Sequence, residues 1–314
     1  MFFTTPTNYA NISGTFHFPP ASLFTPSPFM LRFQLPTICF LLVSVGVSAS
    51  VAGKEPVKPI QALLITGGCC HDYTGQKKIL PEAISKKANV EWTVVHQGGT
   101  TTTAMIPYYE NEDWAKGFDV VVHNECFSDA ADPRWTAKIL KPHRDGLPAV
   151  VIHCAMHCYR DKTDEWFKFL GVTSRRHGAH YPFEVVNVAK DDPIMKGFGE
   201  KWPTPKGELY QIEKLWPTAK PLGRALSKET KQEEVCIWTN EYGKTRVFGT
   251  TIGHYNEEMA DPIFADFASR GLLWACDKLN DDYLQPAKEI KIKHLPEPEA
   301  KKTGPTGDPT PAKK

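Results

Sequence analysis

Three short stretches of the chain set histidine, cysteine and carboxylate side by side. They are Cys69-Cys70-His71-Asp72, His123-Asn124-Glu125-Cys126 and His153-Cys154-Ala155-Met156-His157-Cys158. Imidazole titrates near neutrality, shuttles protons and ligates metals. A carboxylate beside it can orient the ring or act as acid or base itself. His71, His153 and Glu125 are therefore candidate catalytic residues. Asp72 and His157 are candidate substrate contacts, with an N-cap as the alternative role for Asp72. His177, His180 and His254 come from the second half, where loops can close over such a site. The cysteines open two further chemistries. Cys154 follows an apolar run, where an α/β hydrolase or amidotransferase places its nucleophile. That sharp turn needs small residues two places either side, and Ile152 and Met156 stand there. Cys69, His71, Cys154, His157 and Cys158 are the candidate metal ligands. Their C-x-x-H-C run matches no common zinc ribbon and is not the C-x-x-C-H of haem attachment. No cofactor is expected, with a divalent metal as the alternative. Gly67-Gly68 belongs to no G-x-G-x-x-G or G-K-[ST] pattern, so no nucleotide cofactor is expected either.

The elements around these stretches must bring them together. Residues 61–66, 90–96, 118–123 and 149–152 read as short, buried strands. Helical stripes alternate with them. Ile79, Leu80, Ala83 and Ile84 form one, with Pro81 as a kink or late start. Trp135, Ile139 and Leu140 form another behind an Asp132-Pro133 start, and Trp166, Phe167 and Leu170 a third, capped by Thr163. Strand and helix alternating at this spacing predict an α/β fold with a mostly parallel sheet. A doubly wound topology predicts strand order 2-1-3-4, so that strands one, three and four open on one crevice. Each of the three reactive stretches follows one of those strands. The second half predicts strands at 183–188, 235–239 and 246–251, with a turn at Tyr242-Gly243-Lys244, and a closing helix after Asp261-Pro262.

Composition bounds the partners. The formal net charge is +1, from 37 basic and 36 acidic residues. Such balance gives no field for nucleic acid or an anionic membrane, so neither is an expected partner. Hydrophobic residues make up 41% of the chain, enough for a globular core. Residues 1–52 read as a signal peptide, with Met30 as an alternative start: Arg32 is the only charge, an apolar run follows, and small residues precede Gly53. The expected location is therefore periplasmic or extracellular. Residues 58–283 are the expected domain, and 284–314, rich in Pro and Lys, an expected disordered tail. Seven cysteines remain beyond the leader, so at least one has no intramolecular disulfide partner.

Several short motifs, in order, carry a resemblance. They are Leu64-Ile65-Thr66-Gly67-Gly68 with His71-Asp72, Val151-Ile152-His153, the Trp166–Gly171 region and Asp192-Pro193-Ile194. Glu208-Leu209-Tyr210, Tyr242-Gly243-Lys244 running into Arg246-Val247-Phe248, Gly253-His254 and Leu273-Trp274 complete the set. Over about residues 60–279 the chain resembles the ThuA-like, trehalose-utilisation family. The resemblance implies a flavodoxin-like, class I glutamine amidotransferase-like three-layer sandwich that lacks the amidotransferase cysteine arrangement. It also implies a link to the metabolism of trehalose-type or keto sugars. The sequence departs from the family pattern at Cys69-Cys70 and at Cys154 to Cys158.

Glu208 and His254 join the catalytic candidates, and His180 and Tyr210 the substrate-binding ones. Tyr210 is one of several aromatics suited to stacking on a sugar. The function expected is an exported sugar-modifying enzyme using His/Glu acid–base chemistry, a hydrolase or an isomerase/lyase, with a small sugar or sugar derivative as partner. The alternatives are a non-catalytic carbohydrate-binding or assembly module on the same fold, and a Cys- or metal-dependent hydrolase.

Overall fold

The computed structural model describes residues 57–297. The expected signal peptide, 1–52, lies outside them. The chain runs β1 (Ile60–Gly68), α1 (Tyr73–Ser85), β2 (Val90–His96), β3 (Val120–Cys126), α2 (Pro133–Arg144), β4 (Ala149–Ile152), α3 (Glu165–Leu170) and β5 (Val172–His180). It continues through β6 (Glu184–Asn187), β7 (Lys201–Pro203), β8 (Glu208–Leu215), β9 (Ala219–Leu226), β10 (Glu233–Tyr242) and β11 (Thr245–Thr250). It closes with α4 (Asn256–Ala260), α5 (Pro262–Ala275) and β12 (Ile292–His294).

Successive strand residues face opposite sides, and here both sides are apolar. Ala62, Leu64, Val122 and Ile152 pack with Leu80 and Ile84 of α1 and Phe264 and Leu272 of α5. Leu63, Ile65, Val121 and Val151 pack with Ile139 and Leu140 of α2 and Trp166 and Phe167 of α3. Two cores on one sheet make the three-layer α/β sandwich. The ten strands run β12-β2-β1-β3-β4-β11-β10-β9-β6-β7, which includes the expected order 2-1-3-4. Pairing is parallel from β12 to β11 and antiparallel from there to β7. β5 and β8 form a separate antiparallel ribbon. Among the described residues no helix is long and apolar enough to cross a membrane.

The helix starts obey capping chemistry. Asp132 Oδ1 accepts from the Arg134 amide at 2.9 Å, and Asp261 Oδ1 from the Ile263 amide at 2.8 Å. α1 starts at Tyr73 and carries Pro81 within it. At α3 the N-cap position falls on Asp164, whose side chain makes no cap bond, while Thr163 Oγ1 accepts from the Glu165 amide at 3.4 Å. One expectation needs correction. The segment from 284 to 297 is not a solvated tail: it lies along the sheet edge, and β12 pairs with β2. Its few apolar side chains suffice because strand pairing satisfies its backbone, and Leu295 and Ile292 lean on the two cores.

Candidate functional site

The carboxyl ends of β1, β3 and β4 open into a cavity of about 180 Å³. Its wall includes Cys69, His71, Cys126, Cys154, His157, His177, Glu208, Tyr210 and His254. Larger hollows lie elsewhere, of about 450 Å³ beside Glu213 and Arg224 and about 360 Å³ beside Lys116 and Lys141, and neither contains a histidine. The chain leaves β1 through Gly68, whose φ of +100° and close approach to the Cys126 carbonyl leave no room for a side chain. It leaves β4 through His153, which itself has a positive φ of 47°. The backbone is thus strained at this strand exit, and the strained residue carries an imidazole.

Glu208, the first residue of β8, is the hub. Its Oε2 lies 3.2 Å from His153 Nε2 and 3.2 Å from His254 Nδ1. Its Oε1 lies 3.0 Å from His177 Nδ1 and 2.8 Å from His180 Nε2, both on β5. The second-half histidines 177 and 180 thus stand on a strand of the ribbon, not in loops. The rings of His71, His153 and His254 meet edge to face, with centroids 4.6 to 5.3 Å apart. His153 Nδ1 lies 2.6 Å from the Thr251 carbonyl and therefore donates to it. His71 Nδ1 lies 3.1 Å from the Cys69 carbonyl and 3.1 Å from the Tyr73 hydroxyl. Tyr210 reaches His153 Nε2 at 3.2 Å and stacks on His157 at 4.0 Å.

Electrostatics divide the cluster. Burial, and then the neighbouring charges of His153 and His254, push His71 down to about 2. Burial likewise lowers His153, and lowers His157 strongly. Burial alone would raise Glu208, but its contacts with the His153, His177 and His254 rings outweigh it and hold the carboxyl well below its usual range. The bond to Glu208 raises His177. The arrangement sets an ionised carboxylate among imidazoles, with burial disfavouring the charged form of His71, His153 and His157 and the carboxylate favouring that of His177.

Two candidates lie elsewhere. Glu125 is fully buried on the α2–α3 face of β3, where its Oε1 meets His123 Nδ1 at 2.9 Å and accepts from the hydroxyls of Tyr109 and Tyr159 at 3.3 and 3.2 Å. β3 extends to residue 126, so Glu125 must point away from its neighbour Cys126, which lines the cavity. Asp72 is the N-cap of α1, accepting from the Gly75 amide at 2.9 Å and from Asn256 Nδ2 at 2.7 Å. His180 and Tyr210 do join the cluster. The Cys/His candidate metal set is not assembled. Cys69 is bonded to Cys70 and Cys126 to Cys154, leaving Cys158, Cys236 and Cys276 free among the described residues. Burial pushes the Cys158 thiol well up, and its Sγ donates to the Glu125 carbonyl at 3.2 Å.

Sequence reasoning missed Gln76 of α1, whose Nε2 donates to the carbonyls of Gly253 and His254 at 3.1 Å each. Asn124 Nδ2 holds Gln76 Oε1 at 3.1 Å. These amides fix the loop that delivers His254, and nothing in their spacing signals it.

Comparisons with known proteins agree with this architecture. A ThuA-like protein from Parabacteroides merdae superposes with a TM-score of 0.59 at 20% identity, covering 70% of this chain and 90% of that one. A second, from Bacteroides uniformis, gives 0.52 at 14% identity over 70% and 95%. Both likenesses concern the fold. Among curated proteins, none matches the chain. Residues 62–275 match the family described as ThuA, trehalose utilisation. That span covers more than half of the chain, both reactive strand exits and the Glu208 hub, so the protein belongs to the ThuA family.

Proposed function

We propose that this ThuA-family chain is an exported sugar-modifying enzyme whose site is the Glu208 histidine cluster. The observation that carries the reading is the convergence of His153, His254, His177 and His180 on one buried carboxylate beside a small cavity. Groups that accept and release protons within hydrogen-bond reach of each other suit proton transfer next to a sugar carbonyl, or hydrolysis. The volume, below the roughly 300–1,000 Å³ of drug-sized ligand sites, favours a single small sugar or keto-sugar over a polymer. The family's link to trehalose utilisation supports a sugar. Export is supported by the leader-like residues 1–52 and by two disulfides, which persist in oxidising compartments.

The test is a turnover screen of purified protein against ordinary and oxidised sugars, with His153→Ala alongside. We expect a keto-sugar or disaccharide to be converted by the wild type. The variant should keep its circular dichroism and lose at least about 100-fold in rate, as removal of an acid–base group does. A folded His153→Ala protein with full activity would rule out the assigned role.

A further inference from the structure

We propose that His71, His153, His254 and Glu208 bind a divalent first-row transition-metal ion. Three of the four ligand atoms already form a triangle. His153 Nε2 and His254 Nδ1 are 3.3 Å apart, and each is 3.2 Å from Glu208 Oε2. Nitrogen and oxygen ligands about 2.0–2.1 Å from a metal lie about 3.3 Å apart when tetrahedral. The triangle therefore has the size of one face of such a site. His71 completes the group, and one ligand atom from each of the four residues falls within 4.8 Å of the others.

An independent observation points to a ligand. His71 Nε2 is buried and has no hydrogen-bond partner among the described residues. Its Nδ1 faces the Cys69 carbonyl, an acceptor only, so the proton belongs there and Nε2 presents a lone pair. His153 is fixed in the same tautomer by the Thr251 carbonyl. A proton on His254 Nδ1 can serve Glu208, and the Tyr210 hydroxyl can serve His153, but no donor reaches His71 Nε2. A cation satisfies His71 Nε2, His153 Nε2 and Glu208 Oε2 at once, and takes His254 Nδ1 once that ring carries its proton on Nε2.

The surroundings match a metal's outer shell, in which a ligating histidine gives its other N–H to a carbonyl and a ligating carboxylate is itself hydrogen-bonded. Thr251 and Cys69 supply the carbonyls. His177 and His180 occupy Glu208 Oε1, leaving Oε2 for the ion. Three imidazoles and one carboxylate suit zinc, iron, cobalt, nickel or copper better than magnesium or calcium. His71, Glu208 and His254 also line the cavity, so remaining coordination positions face a bound water or sugar oxygen. The ion would polarise that oxygen, and His157, His177 and Tyr210 would be left to move protons. The proposal does not depend on the choice of substrate.

The full chain, stripped with EDTA, is titrated with Co²⁺ and followed by visible absorption. We expect one equivalent to bind, with ligand-field bands of nitrogen and oxygen ligation, no thiolate charge-transfer band, and displacement by Zn²⁺. His254→Ala and Glu208→Gln should weaken binding by more than about 100-fold, since loss of an outer-shell partner alone costs about 10–100-fold. His143→Phe, remote from the cluster, should bind as the wild type does. A folded wild type that takes up no Co²⁺, a thiolate band, or folded His254→Ala and Glu208→Gln proteins with unchanged affinity would each overturn the proposal. Should either variant fail to fold, the wild-type titration and spectrum decide. Turnover is not read, so a negative result here leaves the sugar-enzyme reading standing, and failure of the sugar screen leaves this one standing.

Discussion

Asp72 and Glu125 show how residue type alone misleads. Both are carboxylates beside a histidine or cysteine, and both have structural partners outside the cavity. Asp72→Ala removes the acceptor for the Gly75 amide. We expect a loss of about 1 kcal/mol, the usual cost of an N-cap, seen as a lower urea midpoint with unchanged slope; an unchanged midpoint would contradict the capping role. Glu125→Ala strands His123 and the hydroxyls of Tyr109 and Tyr159 in the dry core. The expected cost is about 3–5 kcal/mol, as for breaking a buried pair. A loss below about 1 kcal/mol in the same urea titration would show that those groups find other partners. His71, His153 and His157 were legible because each follows a strand end that topology places on the crevice. Glu208 carried no local signal and came through family resemblance. His177 and His180 are three apart, which in a regular strand would turn them to opposite faces. The β5–β8 register shifts between them and both reach Glu208. No sequence spacing discloses such a bulge.

At the scale of elements, the parallel half was legible because its strands are continuous apolar runs with helices between them. The second half was read less fully. β8 and β9 mix charged and apolar residues, since one face of the ribbon and part of the extended sheet meet solvent. β12 was hidden for another reason. Ile292-Lys293-His294 has too few apolar side chains to signal a strand, and its place depends on pairing with β2. Truncation after residue 284 tests that element. It removes β12, the Lys291–Glu91 ion pair and the Ala287 amide bond to the Ser85 carbonyl. We expect a lower melting temperature and concentration-dependent self-association by light scattering, because the uncovered β2 edge can pair with another chain. A truncated chain that melts and scatters as the full chain does would show that the edge needs no cover.

For the whole molecule, the response to acid follows from histidines buried neutral. Burial, and then the charge of His123, lower His143 to about 3, and His71 falls to about 2. In the unfolded chain these rings take up protons near 6.5. The folded values lie below, so stability is fully present above pH 6.5 and declines as pH falls towards 3. Each ring contributes up to about 1.4 kcal/mol per pH unit. Unfolding free energies measured in urea at pH 7, 6, 5 and 4 should fall accordingly. His143→Phe, which keeps the ring on Phe169, should reduce the slope by about one proton; an identical slope would refute the assignment. The place of β12 also sets a schedule. β2 is finished at residue 96, and its outer neighbour is made only at 292. At about 5–20 residues per second of synthesis, the nascent chain waits roughly 10–40 s for it. Through that interval the polar residues of the open strand are Glu91, Thr93 and His96, which disfavour its pairing with another chain. When the last segment emerges, Lys291 and Glu297 take hold of two of them, Glu91 and His96. The groups that guard the growing chain become the anchors of its final strand.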